Sequence, residues 1–377
     1  MKSPALMIIA GEISGDLHAG ELLRAIRRRR PDLQCFGIGG ANLREAGMQT
    51  CYDVSEMAVV GLSEVLGRLR FFRRVFKEML ALARDRRPDA ILLVDYPGFN
   101  LRFAQKAHAL GFKVLYYICP QVWAWDRGRI PQMARSVDRL LAIFPFEVDV
   151  FKDSSLRVDF VGHPLGTRAA AALAAPLAPL PWRGEPRLAL LPGSRYHEVL
   201  RILPVMLAAA ARVQTQFPEA SCIVAAPTPE VAGWGQQALN NSADKPRNIA
   251  VVAGQTLQVL RQARAALVAS GSATIETAFM RCPMLVVYRV AWATYFLGRL
   301  LVRVPYLGMV NIVSGKRLCP EFIQHAARPA AMAAELIPLL RDGPERATML
   351  AGLDRVRQAL GDGDAAERAA DIVLQEL

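Results

Sequence analysis

The chain has 377 residues, of which 53% are hydrophobic, and a formal net charge of +12 at pH 7. This length exceeds the usual size of one hydrophobic core, so we expect two domains of roughly 150 to 200 residues. No apolar run reaches the roughly 18 to 20 residues that span a bilayer, which excludes a membrane-spanning helix. The amino-terminal apolar run leads into acidic residues rather than a cleavage site, which counts against a secretory signal. We therefore expect a cytoplasmic protein.

Short apolar runs alternate with helix-like stretches through the first half of the chain. This alternation predicts a parallel sheet covered by helices on both faces. The predicted strands are LMIIA, CFGIGG, AILLVDY, KVLYYICP, RLLAIF and VDFVG.

Two of these strands end in residues that suit a ligand site. The first strand runs into a turn that contains Gly11, Glu12, Ser14 and Gly15. The third ends at Asp95, whose carboxylate is placed to act as a general base for a hydroxyl nucleophile. A structural role for Asp95, capping the next helix or pairing with an arginine, is the alternative.

A basic amphipathic helix is predicted between these two strands. Residues 66–87 contain eight Arg or Lys and two acids, so half of the net charge lies in one segment. Arg70, Arg73 and Arg74 fall away from its apolar stripe, which leaves two interpretations: a core-packed helix with a solvated basic face, or a contact with anionic lipid or a phosphorylated substrate.

An Ala- and Pro-rich stretch separates the two halves, and a second series of strands follows it: RLALLPG, CIVAAP, IAVVAG, AALVAS and MLVVYR. We therefore predict an α/β protein with two doubly wound, Rossmann-like domains that face a central cleft. The predicted divisions are a first domain at 1–168, a linker at 169–187, a second domain at 188–343, and helices at 344–377 that pack back on the first domain.

Two strand-to-helix turns in the second half are suited to an anion. One contains Gly193, Ser194 and Arg195, and the other contains Gly271 and Ser272. Helix starts expose unpaired N–H groups, and glycine lets a ligand approach the backbone, although plain helix capping uses the same residues. Glu276, one turn further on, is placed to accept hydrogen bonds from ribose hydroxyls. Neither turn fits a P-loop or a GxGxxG fingerprint, which counts against a P-loop ATPase and a standard dinucleotide-binding fold. Two such turns in one half, one of them with Arg195, favour a nucleotide diphosphate as the ligand.

The order of eight motifs resembles one known family. AGEISGD, VGLSEVLGRL, DYPGFN, PQVWAWDRGR, FVGHPL, LLPGSR, ASGSATIETA and CPMLVVYR are together similar to the lipid-A-disaccharide synthases, which are glycosyltransferases of the GT-B architecture. The resemblance implies transfer of 2,3-diacylglucosamine from its UDP derivative to the 6-hydroxyl of 2,3-diacylglucosamine 1-phosphate, which yields a β-1,6 disaccharide and UDP. It implies that the first predicted domain binds the acceptor and that the second binds the UDP-sugar.

The resemblance also implies roles for particular residues. Asp95 matches the family's catalytic base, while Arg195, Glu276 and Asn311 match positions on the UDP-sugar side. The turn from Gly11 to Asp16 carries two acids, Glu12 and Asp16, so we expect it to contact sugar hydroxyls rather than an anion. Gly98 stands where many relatives have a second acid, which leaves Asp95 as the only candidate base on its loop.

We expect the transfer to be inverting and to need no metal or other cofactor. The six cysteines form no CxxC pair, the five histidines form no HExxH, and no DxD pair is suitably placed. Arg195 and the two helix starts are expected to stabilise the departing diphosphate in place of a metal ion.

Acylated substrates imply contact with the inner membrane as a peripheral protein. Within residues 290–305, Trp292, Phe296, Arg299 and Arg303 fall on one stripe of a helical wheel, although a buried helix would show a similar pattern.

Other functions remain open on the sequence alone. Another GT-B enzyme that uses UDP-N-acetylglucosamine, as a transferase or an epimerase, would share the nucleotide half. A basic nucleic-acid-binding protein is favoured by charge alone, and no nucleic-acid-binding motif accompanies that charge, so we expect no nucleic-acid partner. The oligomeric state is not predicted.

Overall fold

The computed structural model describes residues 4–57, 68–292, 295, 304–361 and 363–377. The chain divides into two units. The first unit comprises Met1–Pro164 and Gly363–Leu377, and the second comprises Leu165–Asp362.

The first unit is built on a parallel sheet of seven strands in the order β3-β2-β1-β4-β5-β6-β7. Its centre is apolar, since every residue of β1 and β4 is buried. The strands are β1 Ala5–Ala10, β2 Gln34–Ile38, β3 Gln49–Tyr52, β4 Ala90–Val94, β5 Val114–Tyr117, β6 Arg139–Ala142 and β7 Arg157–Phe160. The helices are α1 Ile13–Arg29, α2 Ala41–Glu45, α3 Val54–Met57, α4 Leu69–Arg86, α5 Pro97–Ala109, α6 Val122–Trp125, α7 Ile130–Ala134 and α8 Phe146–Phe151.

The second unit repeats this architecture with six parallel strands in the order β10-β9-β8-β11-β12-β13. The strands are β8 Arg187–Leu191, β9 Ser221–Ala226, β10 Ile249–Ala253, β11 Ala265–Ala269, β12 Met284–Tyr288 and β13 Glu321–Ile323. The helices are α9 Leu165–Ala174, α10 Tyr196–Gln214, α11 Pro229–Asn241, α12 Thr256–Gln262, α13 Ala273–Phe279, α14 Met309–Ser314, α15 Pro329–Leu340 and α16 Pro344–Leu360.

Each sheet has one point at which the strand order reverses. In the first unit it lies between β1 and β4, and in the second it lies between β8 and β11. Doubly wound sheets bind ligands beyond the carboxyl ends of the strands at this point. The predicted site residues Glu12 and Asp95 follow β1 and β4, and Arg195 and Gly271 follow β8 and β11, so the topology brings both pairs to such positions.

The linker, predicted at 169–187, begins later in the structure than the sequence suggests. Leu165–Ala174 forms a helix of the second unit, and regular structure is absent only from residues 175–186. The reason is that alanine, which we grouped with proline as a sign of a break, is the strongest helix former.

The residues predicted as carboxy-terminal helices, 344–377, divide between the units. Helix α16 packs within the second unit, whereas α17, Ala365–Glu376, packs on α1 of the first unit. Arg28 and Arg29 form ion pairs with Glu367, and Arg139, only 3% exposed, is paired with Asp159 and Glu376.

The basic segment forms helix α4 as predicted. Val75, Met79 and Ala83 are buried in the core of the first unit, while Arg70, Arg73 and Arg74 are exposed. The aromatic residues between these faces are partly buried against the core. In the described ranges, no helix is long and apolar enough to cross a membrane.

Candidate functional site

Asp95 lies in a strained loop that its backbone contacts hold rigidly. Asp95 and Tyr96 have φ angles of 47° and 50°, the left-handed region that residues other than glycine rarely adopt. The Asp95 carbonyl accepts hydrogen bonds from Asn100 Nδ2 at 2.8 Å and from the Tyr116 hydroxyl at 2.6 Å, and the Asp95 amide donates to the Tyr117 carbonyl at 3.0 Å. These contacts explain how the strain is maintained.

The surroundings of Asp95 make its carboxylate a stronger base than an ordinary aspartate. Burial, and secondarily the negative charge of Glu12, raise the pKa of Asp95 from 3.8 to about 6. The side chain nevertheless keeps partial access to solvent. A carboxylate of this kind is ionised at neutral pH and is well matched to accept a proton from a hydroxyl group.

The turn after β1 exposes only part of the predicted substrate-binding set. Glu12 and Ser14 are exposed at the start of α1, whereas Gly11 and Gly15 are buried. A Cβ at Gly11 would clash with the ring of Tyr96, whereas one at Gly15 would lie in ordinary van der Waals contact with the Val94 carbonyl, at 3.6 Å. Gly11 thus has a packing role, because it lets the turn approach the Asp95 loop, and ligand contact by Gly11 and Gly15 stays a prediction that their burial does not support.

Asp16, the other acid of this turn, has a structural role. Its carboxylate is 2% exposed and accepts hydrogen bonds from the amides of Gly40, Asn42 and Leu43 at 2.6, 3.0 and 3.2 Å. These amides open α2, so Asp16 caps that helix from a neighbouring one. Of the two acids in the turn, only Glu12 is exposed to a ligand.

A buried acid fixes the PQVWAWDRGR segment that follows β5. The Glu147 carboxylate, 1% exposed, accepts hydrogen bonds from Trp123 Nε1 at 3.1 Å and from the Phe144 amide at 3.1 Å. Burial raises the pKa of Glu147 to about 7, partly offset by these hydrogen bonds. Trp125 remains 47% exposed, with the Arg129 guanidinium 5.3 Å from its ring centre. The segment thus presents an aromatic and cationic surface from a rigid base.

The second unit contains a cavity of about 140 Å³ at its strand reversal. Gly193, Ser194, Gly271, Ser272 and Glu276, all predicted from the sequence, line it together with Glu198 and Thr256. The φ angles of Gly193 and Gly271, 107° and 147°, explain the need for glycine at both turns. The structure therefore brings the two predicted turns together in one cavity.

Arg195 and Glu276 supply opposite charges near this cavity. Arg195 is the N-cap residue of α10, and its side chain is 83% exposed, with Nη1 3.2 Å from Glu198 Oε1. Burial raises the pKa of Glu276, partly offset by the charge of Arg168. Within the described parts of the chain, no hydrogen bond engages the Glu276 carboxylate, so its oxygens are available to accept from ligand hydroxyls.

The implied ligand contact of Asn311 is corrected by its surroundings. Its side chain is 0% exposed; Nδ2 donates to the Cys319 carbonyl at 2.8 Å and to Glu321 Oε1 at 2.9 Å, and Oδ1 accepts from the Cys319 amide at 2.8 Å. Both ends of the amide are therefore used inside the protein. Asn311 braces the start of α14 against β13.

Most of the predicted membrane stripe lies outside the described residues, including Phe296, Arg299 and Arg303. Trp292 is 56% exposed and makes an edge-to-face contact with Tyr295. In the described ranges, no group of three or more His, Cys, Asp or Glu side chains is placed to hold a metal ion.

Sequence reasoning missed several residues that build the site. Asn100 and Tyr116, which hold the Asp95 carbonyl, are both 0% exposed. A polar side chain in the DYPGFN motif was a signal for Asn100, but nothing in the strand KVLYY distinguishes Tyr116 from its neighbour. Glu198, three residues after Arg195, was visible as an acid close to the predicted anion site.

Comparisons with known proteins agree over the whole chain. A family model described as lipid-A-disaccharide synthetase matches residues 6–373. A lipid-A-disaccharide synthase from Myxococcus xanthus is 39% identical, and the match covers 99% of this chain and 98% of that protein. One from Anaeromyxobacter dehalogenans is 40% identical, with coverage of 98% and 96%.

A solved structure described as the glycotransferase of kitacinnamycin aligns with a TM-score of 0.67 over 100% of both chains. Its sequence identity is 18%, so the likeness concerns the fold alone. It agrees with the two parallel-sheet α/β domains predicted from the sequence, and the architecture is GT-B.

Proposed function

The chain belongs to the lipid-A-disaccharide synthase family and is a glycosyltransferase of lipid A biosynthesis, and we propose that it joins two specific acylated sugars with inversion at the anomeric carbon. The proposed donor is UDP-2,3-diacylglucosamine and the proposed acceptor is 2,3-diacylglucosamine 1-phosphate. The products are then the β-1,6-linked disaccharide 1-phosphate and UDP.

The setting of Asp95 is the observation that carries this proposal. Its pKa of about 6 makes it a base at neutral pH, and the contacts of its backbone carbonyl fix its position. General base catalysis needs a group whose pKa lies near the working pH and whose geometry is preset. Glu12, exposed beside this loop, supplies part of the raised pKa and is a candidate for binding sugar hydroxyls.

The cavity of the second unit is the proposed site of the UDP moiety. Backbone groups at Gly193 and Gly271 and the charge of Arg195 suit a diphosphate, and Glu276 suits the ribose. Arg195 is well placed to stabilise the negative charge that develops on the leaving group. Asn311 acts indirectly, through the position of α14.

In the proposed step, the acceptor 6-hydroxyl attacks the anomeric carbon on the face opposite UDP. Asp95 takes the hydroxyl proton as the new C–O bond forms, and the bond between the anomeric carbon and the diphosphate oxygen breaks with its electron pair leaving on UDP. The neutral Asp95 acid then returns its proton to solvent. One displacement of this kind inverts the configuration, because no covalent sugar–enzyme intermediate precedes it.

The proposal is tested by incubating the purified protein with both proposed substrates and measuring disaccharide and UDP. NMR of the product distinguishes a β from an α linkage, and the α linkage would contradict inversion. Asp95→Asn should lower turnover roughly 100-fold or more with UDP affinity nearly unchanged, since the base acts on the acceptor. Turnover of Asp95→Asn at the wild-type rate would remove Asp95 from the mechanism.

A parallel incubation with UDP-N-acetylglucosamine, alone and with unacylated acceptors, separates the proposed reaction from those of other GT-B enzymes. Turnover of this nucleotide sugar in place of the acylated donor would replace the proposed substrates. Epimerisation without any transfer would contradict the proposed reaction as a whole.

We further propose that the protein associates peripherally with the inner membrane through α4. The exposed Arg70, Arg73 and Arg74 are matched to anionic lipid, each contributing on the order of 1 kcal/mol near a charged surface. Leu69, 38% exposed, and the partly buried Phe71 add apolar surface beside these charges. Trp292 and the stripe predicted after it are proposed as a second contact.

A further inference from the structure

The cavity proposed for the UDP moiety contains a carboxylate of the protein itself. Glu198 lines this cavity together with Ser194 and Gly271. Its Oε2 lies so close to the turn that a Cβ at Gly193 would be 2.7 Å from it. Glycine at this position therefore leaves room for the acid as well as for a ligand.

Glu198 forms an ion pair with Arg195, the cation that a bound diphosphate would need. Its Oε1 is 3.2 Å from Arg195 Nη1, and the Glu198 side chain is 27% exposed. Glu198 also lies in the first turn of α10, where a negative charge is stabilised by the amino-terminal end of the helix dipole. The side chain of Arg195, the N-cap residue, makes no capping hydrogen bond, and the Glu198 carboxylate supplies negative charge at that helix start.

We propose that Glu198 is a resident anion that competes with the nucleotide diphosphate for Arg195 and favours the release of UDP. This inference rests on the proposed function, because it takes the cavity to be the UDP site. When the diphosphate binds, Arg195 exchanges Glu198 for a phosphate oxygen. When UDP leaves, the Arg195–Glu198 pair forms again.

The competition should act more strongly on UDP than on the donor. Cleavage of the bond to the sugar frees one oxygen of the terminal phosphate, which then ionises a second time with a pKa of about 6, as a phosphate monoester does, and gains negative charge. Like charges at close range repel, so the Glu198 carboxylate disfavours UDP more than UDP-sugar. The residue thereby helps the enzyme to distinguish its product from its substrate.

The test is isothermal titration of UDP and of a non-reacting UDP-sugar analogue into wild type and Glu198→Gln. We expect Glu198→Gln to bind UDP roughly 2- to 5-fold more tightly, the range that a partly exposed charge pair gives, and to bind the analogue with a smaller gain. Product inhibition by UDP should strengthen by a similar factor. Glu230→Gln, an exposed acid in the first turn of α11, is the matched control and should leave both affinities unchanged.

A double variant tests the competition directly and does not depend on one substitution. In an Arg195→Gln background, Glu198→Gln should improve UDP affinity less than it does in the wild type, because the guanidinium for which Glu198 and the diphosphate compete is absent. Thermal unfolding of each variant shows that the second unit is folded before its affinities are compared.

Three results would overturn the inference. Weaker UDP binding by Glu198→Gln would mean that Glu198 positions Arg195 for the ligand, and equal gains for UDP and the analogue would remove the distinction between product and substrate. Unchanged affinity would show that the pair does not compete. If the wild type turns over the donor, these outcomes leave the proposed function intact, whereas wild-type protein that binds no UDP would contradict both.

Discussion

Replacing Asp95 with asparagine should stabilise the fold while it slows the proposed catalysis roughly 100-fold or more. The pKa of Asp95 is raised from 3.8 to about 6, mainly by burial, so the folded protein binds this proton more tightly than the unfolded chain does. The stability contributed by the protonated group is thus fully present below pH 3.8 and is lost as the pH rises through about 6. At pH 8 the ionised carboxylate costs roughly 3 kcal/mol, at about 1.4 kcal/mol for each pH unit between the two pKa values.

Asparagine has a similar shape and no charge to desolvate. We therefore expect Asp95→Asn to raise the free energy of unfolding by about 1 to 3 kcal/mol at pH 8, the lower figure allowing for the partial solvent access of the side chain. By pH 5 the pKa-dependent part of this gain should fall to about half. Urea titrations followed by tryptophan fluorescence at several pH values measure the difference between variant and wild type.

The pH dependence of that difference is the decisive quantity. A difference that stays constant between pH 5 and pH 8 would show that Asp95 has an ordinary pKa, and the argument for a tuned base would fail. Asp153→Asn changes an exposed acid of the same unit and should give a flat difference close to zero. If Asp95→Asn is more stable and less active than the wild type, the ionised Asp95 carboxylate lowers the stability of the fold in return for its catalytic role.

Three further outcomes follow from the structure. Activity should persist in excess EDTA, measured as UDP release, because Arg195 and the helix starts supply the positive charge at the diphosphate. Asp16→Ala should lower the free energy of unfolding by about 1 to 2 kcal/mol in urea titrations, since it leaves the first amides of α2 buried without an acceptor. Replacing Arg70, Arg73 and Arg74 by Glu together should greatly reduce co-sedimentation with anionic vesicles, whereas UDP affinity should survive.

Each of these outcomes has a result that contradicts it. Activity lost in EDTA and restored by Mg²⁺ would overturn the metal-free mechanism. Wild-type stability of Asp16→Ala would mean that other acceptors reach those amides. Unchanged sedimentation of the triple variant would assign α4 to the other predicted interpretation, a core-packed helix with a solvated basic face.

The sequence predicts the central strands of both sheets because buried parallel strands are continuous apolar runs with turn residues after them. All eleven predicted strands are present in the structure. Among the described residues, the two strands that the sequence does not predict, β3 and β13, are edge strands of four and three residues. Their patterns are too short to show a period, and they pair only because a completed sheet offers them an edge.

The candidate site is predicted less completely because many residues act through tertiary contacts. Asp95 and the two glycine turns are recognisable from local order alone. Gly11 makes room for Tyr96, which is 85 residues further along the chain. The Asn311 amide is hydrogen-bonded to Cys319 and Glu321, which are 8 and 10 residues away. A motif shows that a residue type is required at a position, and the packing decides whether it faces a ligand or a neighbour.

The return of α17 to α1 has a consequence for synthesis of the protein. The first unit is made from the two ends of the described fold, and the second unit, Leu165–Asp362, is translated between them. At roughly 5 to 20 residues per second, an intervening stretch of this length takes on the order of 10 to 40 seconds to make. During that interval Arg139, paired in the finished fold with Glu376, has not yet met that partner. We expect the nascent first unit to gain its final protection from proteases only after the second unit has emerged from the ribosome.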